Sequence, residues 1–307
     1  MPSCRARSRS VICESPPSRA IEQEQQQLAE STVLVAGVGG VGGRVAETLA
    51  RVGIGHLIVT DPDDFAVSNL NRQAGCTHDT LGRNKAMVIA ELCRSVGLGP
   101  RVDVNTDGVT PSNVAALTSG VDLVIDGTDY AIPEVGLLLA DASRQASIPV
   151  VLAVEIGFGA WHTVLRPDGP GFRALMGLPR DATPEALASG ELSVPLWRWI
   201  ARFPSYGDPE LMRDVQEQGL PAPAIAPAVE LSAAMLSSAA IDVLLGRPVP
   251  AESPRICHID ARTGRARIYK PRTITFWASV ARASIATRRG KAKQGATSLT
   301  RVLSRPV

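Results

Sequence analysis

The sequence predicts an α/β fold: a Rossmann-like, doubly wound and mostly parallel sheet with an elaborated C-terminal half. Apolar runs of strand length alternate with helical patterns across residues 32–155, as they do in parallel sheets with crossover helices. A glycine-rich turn directly follows the first apolar run, Val33 to Ala36, and opens an amphipathic helix. With 307 residues, 45% of them hydrophobic, the chain is long enough to bury a complete core around such a sheet.

The first strand and helix enclose a turn that is typical of phosphate binding. Gly37, Gly39 and Gly42 have the G-x-G-x-x-G spacing. Gly40 adds a further glycine. Without a Cβ at these positions, a phosphate can approach the backbone N–H groups at the helix N-terminus. The next apolar run ends on Asp61, nineteen residues beyond Gly42, where a carboxylate can accept hydrogen bonds from ribose hydroxyls. The pattern predicts a nucleotide site and leaves the nucleotide open.

The other elements continue the alternation of helices and strands. Residues 21–31 have the pattern of a helix that leads into the first strand, and Asn84 can cap a helix whose apolar residues recur at helical spacing. Strand patterns cover residues 101–107, 121–129 and 149–157, and helix patterns cover residues 111–120 and 133–147. This order predicts that the strands lie parallel, with helices on both faces of the sheet.

The buried strand over residues 121–129 ends in two carboxylates, Asp126 and Asp129. Because ligands bind at the carboxyl ends of parallel strands, we expect Gly39, Asp61 and Asp129 on one rim of the sheet. There Asp129 could give an oxygen ligand to a magnesium ion that is bound to phosphate. A turn or capping aspartate is an equally simple interpretation of Asp129 taken alone.

Charge is distributed unevenly along the chain. The formal net charge is +2, but residues 280–307 carry seven basic residues and no acidic one, so the remainder of the chain is mildly acidic. The predicted folded body therefore has no basic surface of the kind that binds nucleic acid. For the basic tail, a solvated disordered end is a simpler interpretation than a phosphate-binding arm.

Cysteine spacing and hydropathy exclude further classes of protein. Five cysteines occur without a C-x-x-C pair, which argues against a disulfide framework and against a thiolate zinc site. The N-terminus is polar and has no apolar signal-peptide core. The most apolar helix pattern, near residues 229–245, contains Glu230 and Asp242, so no membrane span is predicted. A cytoplasmic protein without a membrane partner is the expectation.

Spaced segments along the chain resemble the ThiF/MoeB family, the ATP-dependent adenylating enzymes of thiamin and molybdopterin biosynthesis, to which ubiquitin-activating enzymes are related. Within about residues 25–165 the similar segments are VLVAGVGGVGG, VTDPDDFAVSNLNRQ, LGRNKA and DLVIDGTDY. Further similar segments occur later in the chain, APAVELSAAMLSSAAIDVLLG and ICHIDARTGRARIYK. The resemblance implies that a carboxyl group is adenylated by ATP with Mg²⁺ and that pyrophosphate is released. The carboxylate would belong to the C-terminus of a ubiquitin-like protein, to a peptide or to a small acid, and a homodimer is implied.

The resemblance also assigns roles to individual residues. It assigns the four glycines to the phosphate turn, Asp61 to ribose recognition, Asp63 to the nucleotide site, Asn69, Arg72 and Lys85 to the ATP phosphates, and Asp129 to the magnesium ion. These roles agree with the chemistry, because attack of a carboxylate on the α-phosphate increases negative charge on the phosphate oxygens. A guanidinium, an ammonium and a metal ion stabilise that charge. The carboxylate nucleophile is already ionised, so adenylation requires no general base, and Arg72, Lys85 and Asp129 are the predicted catalytic residues.

The resemblance divides the chain into three parts. Residues 1–20 are predicted to be a disordered leader, residues 21–278 the adenylation domain, and residues 279–307 a basic disordered tail. Within the domain, the nucleotide half covers about residues 31–157 and the substrate and dimer half about residues 158–278. The second half contains an insertion, residues 178–221, with no recognised counterpart.

Several residues depart from the family pattern. Gly171 and Ala174 replace two zinc-binding cysteines that many members have, so no zinc is expected. Tyr130 occurs where the family usually has asparagine beside the magnesium aspartate. The arginine that many members donate to the neighbouring subunit has no clear counterpart, and Arg19 is the nearest candidate. No cysteine is placed for a covalent relay; Cys76 fits best as a small buried residue.

The sequence allows alternative interpretations of the insertion, of His162 and of the function. In the insertion, Trp197, Trp199 and Phe203 fit core packing better than a substrate lid. His162 fits a hydrogen-bonded structural histidine better than a catalyst. An NAD(P)-dependent oxidoreductase would explain the glycine turn but not Lys85 or Asp129. A non-catalytic partner subunit of an activating enzyme would be expected to lose the three predicted catalytic residues.

Overall fold

The computed structural model describes residues 19–96, 99–208, 210 and 224–285. Strands are β1 Thr32–Ala36, β2 His56–Thr60, β3 Arg101–Asn105, β4 Leu123–Asp126, β5 Val150–Ile156, β6 Gly159–Leu165, β7 Ile256–Asp260 and β8 Arg265–Tyr269. Helices are α1 Arg19–Glu30, α2 Gly40–Val52, α3 Lys85–Ser95, α4 Val114–Thr118, α5 Pro133–Gln145, α6 Phe172–Met176, α7 Pro184–Ala188, α8 Leu196–Ile200 and α9 Ala226–Leu244. Two 3₁₀ turns cover Val67–Asn69 and His78–Thr80. A C-terminal helix covers residues 273–285.

The strands form one sheet of eight in the order β3-β2-β1-β4-β5-β6-β7-β8. β1 to β5 are parallel, and β6, β7 and β8 extend the sheet with antiparallel pairing. The carboxyl ends of the five parallel strands therefore meet at one edge. This arrangement confirms the predicted α/β class, with its mostly parallel, doubly wound nucleotide half.

Local sequence explains why the first helices begin and end where they do. Gly53 ends α2 in the left-handed conformation, at φ 94°, and its N–H donates to the carbonyls of Leu49 and Ala50. The Asn84 side chain accepts a hydrogen bond from the Met87 N–H at 3.2 Å, which confirms the predicted cap of α3. Gly53 thus ends α2, and Asn84 fixes the start of α3 at the edge of the sheet.

Apolar cores lie on both faces of the sheet. On one face β1, β2 and β4 pack against α2, α3 and α9 through residues such as Leu49, Ile89 and Leu236. On the other face the sheet packs against α4 to α8 around the fully buried Trp161. Because strands with both faces covered are nearly continuous apolar runs, β1 and β4 have no alternation of polar residues.

Two predicted boundaries require correction. α1 begins at Arg19, so the end of the predicted disordered leader is helical, and residues 1–18 lie outside the described residues. The predicted disordered tail was wrong for residues 279–285, which continue the C-terminal helix. Ser279 and Ala283 are buried in that helix, and the Ser279 hydroxyl accepts a hydrogen bond from the Phe203 N–H at 2.8 Å. Residues 286–307 lie outside the described residues, as do residues 211–223 of the insertion region.

α9 is the most apolar helix among the described residues. By length and composition it could cross a membrane. In the fold it packs against α2, β5 and β6, and 56% of its apolar window is buried. That burial is the pattern of a core helix, and it leaves Glu230, Ala234 and Ser238 exposed along one side.

Candidate functional site

The glycine turn between β1 and α2 is held by close backbone contacts. Gly37 has a φ of +77° and donates its N–H to the Thr60 carbonyl at 2.8 Å. A Cβ at Gly37 would lie 2.5 Å from the Gly127 carbonyl oxygen, and one at Gly42 would lie 1.9 Å from the Gly37 oxygen. Gly39 precedes α2 without a side-chain cap, so the first N–H groups of the helix remain available to a ligand.

Asp61 connects the end of β2 to this turn. Its carboxylate is buried and accepts hydrogen bonds from the Val38 N–H at 2.8 Å and the Asp63 N–H at 3.0 Å. Burial raises the pKa of the Asp61 carboxyl, while these two N–H groups and the nearby Lys85 ammonium act in the opposite direction. The turn is therefore fixed by the residue that was predicted to bind ribose, and ribose binding itself stays a prediction.

Lys85 projects into the site from the first residue of α3. Its side chain is buried, and its ammonium donates to the Asp63 carboxylate at 2.9 Å. The Asn84 amide donates to the carbonyls of Asp61 and Asp63, at 3.1 and 3.2 Å, and so attaches the helix start to the segment after β2. Asp63 itself is 67% exposed, so this ion pair opens towards solvent on one side.

A cavity of about 540 Å³ lies at the carboxyl edge of the parallel strands. Predicted site residues in its lining are Gly37, Gly39, Gly40, Asp61, Asp63, Arg72, Lys85 and Asp129. The three predicted catalytic groups, from three separate segments, thus line one cavity. Gly42 and Asn69 are outside its lining. Gly42 lies behind the turn, where it allows close packing.

Asn69 has a local role that differs from the predicted contact with ATP. It is buried in the first 3₁₀ turn, and its side-chain oxygen accepts a hydrogen bond from the Ala66 N–H at 3.0 Å. Its carbonyl accepts from the Arg72 N–H at 3.1 Å. The Arg72 guanidinium donates to the Ser68 carbonyl and the Asn71 side chain, so Asn69 shapes the turn from which Arg72 projects.

The sequence interpretation missed several polar residues of the cavity, including Gln73 and Glu155. Gln73 lines the cavity beside Gly39, and its side-chain oxygen is buried with no partner in the described part of the chain. Glu155, near the end of β5, also lines it; burial raises the pKa of its carboxyl, Arg72 lowers it and Asp129 raises it. The position of Gln73 within SNLNRQ, and of Glu155 at the end of a parallel strand, could have indicated both.

Asp129 is the predicted magnesium ligand. Its side chain lines the cavity, and one of its carboxylate oxygens accepts a hydrogen bond from the Ala131 N–H at 2.9 Å. No group of three or more His, Cys, Asp or Glu side chains that could hold a metal occurs within residues 19–96, 99–208, 210 and 224–285. Magnesium is commonly held by one or two carboxylates together with substrate phosphates, so the exposed Asp129 carboxylate beside a phosphate turn fits this ion.

The aromatic residues of the insertion belong mainly to the core. Trp199 and Phe203 are buried, and the Trp161 indole N–H donates to the Trp199 carbonyl at 2.5 Å. Core packing is confirmed for these residues. Trp199 also contacts the Tyr130 ring edge-on at 6.5 Å, and both rings line the cavity.

His162 lies on β6, away from the cavity lining. It is only 4% exposed, and neither ring nitrogen has a hydrogen-bond partner among the residues that the structure describes. Burial lowers the pKa of this histidine to about 4. The expectation of a hydrogen-bonded histidine was therefore wrong, because the residue faces the apolar contact between β6 and α9.

The segment that contains Gly171 and Ala174 is joined to α5 by arginines. A Cβ at Gly171 would lie 2.7 Å from a terminal nitrogen of Arg144, whose guanidinium donates to the Pro167 and Gly169 carbonyls. Arg173 forms a two-point ion pair with Asp141 and donates to the Ala182 carbonyl at 2.7 Å. The guanidinium of Arg144 occupies the space beside Gly171, so a side chain at this position would have to displace that arginine.

The protein-family model described as "ThiF family" matches residues 16–274. The chain belongs to the ThiF family. Its glycine turn, Asp61 and the cavity all fall within the residues matched.

Curated ThiF-related proteins match parts of the chain. The tRNA threonylcarbamoyladenosine dehydratase of Escherichia coli (strain K12) is 42% identical over 131 residues, which are 42% of this chain and 48% of that protein. The SAMP-activating enzyme E1 of Haloferax volcanii is 37% identical over 174 residues, which are 55% of this chain and 63% of that protein. The chain thus spans about half to three fifths of the length of these relatives.

Solved structures share the fold. A structure of E. coli MccB with MccA-N7isoASN has a TM-score of 0.61 at 17% identity, and a structure of PaaA has a TM-score of 0.60 at 18% identity. Each match covers 82% of this chain and 67% of the other. At this identity the likeness establishes the ThiF-type fold alone.

Proposed function

We propose that this ThiF-family protein is an ATP-Mg-dependent adenylyltransferase that activates a carboxylate as an acyl-adenylate and releases pyrophosphate. One observation carries the proposal: Arg72, Lys85 and Asp129 line the same cavity as the glycine turn. A turn with free N–H groups accommodates a phosphate, and the Arg72 and Lys85 cations can pair with the phosphate oxygens. Asp129 is one of six carboxylates in the described lining, and it is the one that would hold magnesium against the triphosphate.

The chemistry follows from the charges in the cavity. A substrate carboxylate oxygen attacks the α-phosphorus, the bond from that phosphorus to the bridging oxygen breaks, and its electrons leave with pyrophosphate. Arg72 and Lys85 stabilise the charge that accumulates on the phosphate oxygens. Asp129 and the substrate phosphates would hold magnesium, which supplies further charge neutralisation when bound. The Asp63 carboxylate orients the Lys85 ammonium through an ion pair at 2.9 Å.

The carboxylate is proposed to end a polypeptide. Relatives named for SAMP activation, and the MccB structures with MccA, support a ubiquitin-like protein or a peptide. A carboxylate carried on tRNA is the second candidate, because the 42% identical relative is named for a tRNA nucleoside. An NAD(P)-dependent oxidoreductase is disfavoured by the ThiF match, and a non-catalytic partner subunit by the retention of the three charged residues.

Substrate-dependent exchange of labelled pyrophosphate into ATP tests the proposal. Arg72→Ala, Lys85→Ala and Asp129→Ala are each expected to lower the exchange rate by about 100-fold or more, because each removes a charge that is matched to the triphosphate. Arg101→Ala is the control, since Arg101 is exposed and pairs with Asp103 away from the cavity. Exchange that survives Asp129→Ala would refute the metal role of Asp129. Oxidation of NADH with a panel of small molecules would instead favour the alternative function, an oxidoreductase.

We also propose a homodimer in the cytoplasm. The dimer is inferred from the family resemblance and would use the second half of the chain, residues 158–278. Most of α9 is already buried within the chain, so its contribution would be limited to the side that contains Ala234 and Ser238.

A further inference from the structure

Four arginines converge on the antiparallel end of the sheet. Arg202 follows α8, Arg265 and Arg267 lie on β8, and Arg282 lies on the C-terminal helix. Together they line a cavity of about 110 Å³. We call this group the arginine cluster. Its members come from three separate segments, so their convergence is produced by the fold and not by a run of basic sequence.

The arginine cluster is not neutralised within the described chain. None of its four guanidiniums has a hydrogen bond or an ion pair among residues 19–96, 99–208, 210 and 224–285. Seven other arginines do pair with carboxylates: Arg44, Arg51, Arg83, Arg101, Arg166, Arg173 and Arg247. The cluster therefore combines, in one place, four positive charges for which the described chain supplies no ion pair; Arg265, Arg267 and Arg282 are exposed, so a ligand can reach them from solvent.

The other groups in the cavity supply less negative charge than the four guanidiniums supply positive charge. Among the described lining residues Asp260 is the one carboxylate, and its two oxygens accept hydrogen bonds from the Thr263 N–H and the Tyr206 hydroxyl, so an excess of positive charge remains. Burial raises the pKa of the nearby Tyr269 phenol to about 12, so that group is neutral at pH 7. Burial and the three neighbouring guanidiniums lower the pKa of Arg202, which shows that the four charges interact.

The strand register places this cavity on the same edge as the nucleotide cavity. Gly159, which starts β6 beside the end of β5, pairs with Asp260, and Asp260 pairs with Arg265. Arg267 pairs with His258 on the same face of the sheet. The nucleotide cavity already has its own glycine turn and Lys85, so the arginine cluster is not needed to bind the same triphosphate.

We propose that the arginine cluster is a second anion site, which binds a phosphate group of a molecule other than the ATP in the nucleotide cavity. A phosphate presents up to four oxygens in tetrahedral directions and can accept hydrogen bonds from guanidiniums on several sides. A carboxylate presents two oxygens in one plane and would leave part of the cluster unpaired. The volume of the cavity suits a single group of this size. The proposal stands independently of the proposed adenylation.

Binding of named probes tests the site. The proteins are the wild type, Arg267→Gln, Arg282→Gln and the control Arg255→Gln, which removes one exposed charge outside the cluster. Thermal unfolding is followed with inorganic phosphate against chloride at equal ionic strength. Phosphate is expected to raise the Tm of the wild type and the control, and to raise it by half as much or less in the two cluster variants. The nucleotide cavity is identical in all four proteins, so it cannot produce this difference.

A second measurement identifies the source of the phosphate. A fluorescein-labelled single-stranded RNA and a polyglutamate peptide are titrated by fluorescence anisotropy at several salt concentrations. For RNA binding, the logarithm of the binding constant falls linearly with the logarithm of the salt concentration. If the magnitude of that slope decreases by about one unit for each arginine removed, the site binds a phosphodiester backbone. Stabilisation by phosphate without RNA binding would assign it to a small phosphorylated molecule. Equal responses in all four proteins, or tighter binding of polyglutamate than of the phosphate probes, would overturn the proposal.

Discussion

At the residue scale, His162 is a buried polar side chain that the fold tolerates without a partner. A buried imidazole without hydrogen bonds costs stability, and charging it would cost more. The residue therefore contributes to the pH dependence of folding and does not contribute to the chemistry of the cavity.

Replacing His162 by leucine is expected to flatten the acid dependence of stability. The unfolded chain binds a proton at this residue near pH 6.5, but the folded chain binds it only near pH 4. The stability associated with this residue is thus present above pH 6.5 and is lost as the pH falls towards 4, by roughly 3 kcal/mol at most. Urea unfolding from pH 7 to pH 4 should show a shallower decline for His162→Leu than for the wild type. The exposed His78→Leu serves as the control, and identical slopes for the wild type and His162→Leu would contradict the prediction.

Alanine substitutions at two glycines of the turn separate the gain in helix propensity from the steric overlap of a new Cβ. In a helix, glycine to alanine usually stabilises by about 1 kcal/mol. At Gly42 the new Cβ would lie 1.9 Å from a backbone oxygen, so we expect destabilisation of about 1–3 kcal/mol instead. Gly40→Ala is the matched control in the same helical turn, because its Cβ would meet the Val229 side chain at 3.3 Å, and that side chain can move. Urea unfolding of both variants measures the difference; equal stability of the two would show that the contact relaxes easily.

At the element scale, α5 is joined to the segment after β6 by ion pairs and backbone hydrogen bonds. In the family resemblance, zinc-binding cysteines would occupy positions 171 and 174. Here the guanidiniums of Arg144 and Arg173 connect the two elements, and Arg173 pairs with the Asp141 carboxylate in a fork geometry. Elements can therefore be held together at the same place in the fold by different chemistry.

Removal of the Asp141 carboxylate tests this connection. Asp141→Ala is expected to lower the free energy of unfolding by about 1–2 kcal/mol, because it breaks a two-point, partly buried pair. Glu91→Ala breaks the more exposed pair with Arg83 and should cost less than about 0.5 kcal/mol. A chelator should leave the Tm of the wild type unchanged. A large loss of Tm with chelator would contradict the assignment.

At the scale of the whole molecule, the proposed homodimer can be tested at the exposed side of α9. We expect multi-angle light scattering at micromolar concentration to give the mass of a dimer. Ala234→Arg, on the exposed side of α9, should shift the mass towards the monomer if that side lies in the interface. A monomeric wild type would count against the homodimer.

The sequence predicted those parts of the molecule that depend on local pattern. The turn at Gly37, the cap at Asn84 and the strand that ends at Asp126 follow from short-range chemistry, and the sheet confirmed them. The common rim followed from a general rule of parallel sheets, which is why Asp129 could be expected on the same edge as Gly39 and Asp61.

Other features could not be predicted, because they depend on contacts between distant segments. Glu155 enters the cavity only through the position of β5 in the sheet. The basic tail was predicted to begin at residue 279, but Phe276 and Ala283 pack with Phe203 in one buried cluster, and the helix continues to residue 285. The arginine cluster likewise exists only after β8, the segment after α8 and this helix have come together.

The contact between the Asp61 carboxylate and the Val38 N–H has a consequence for ligand association. The turn reaches its final shape through bonds within the protein, before any nucleotide arrives. The turn is therefore preorganised for a nucleotide, and binding costs little free energy for ordering the loop. Exchange of the Val38 amide with solvent deuterium should accordingly be slow already in the ligand-free protein.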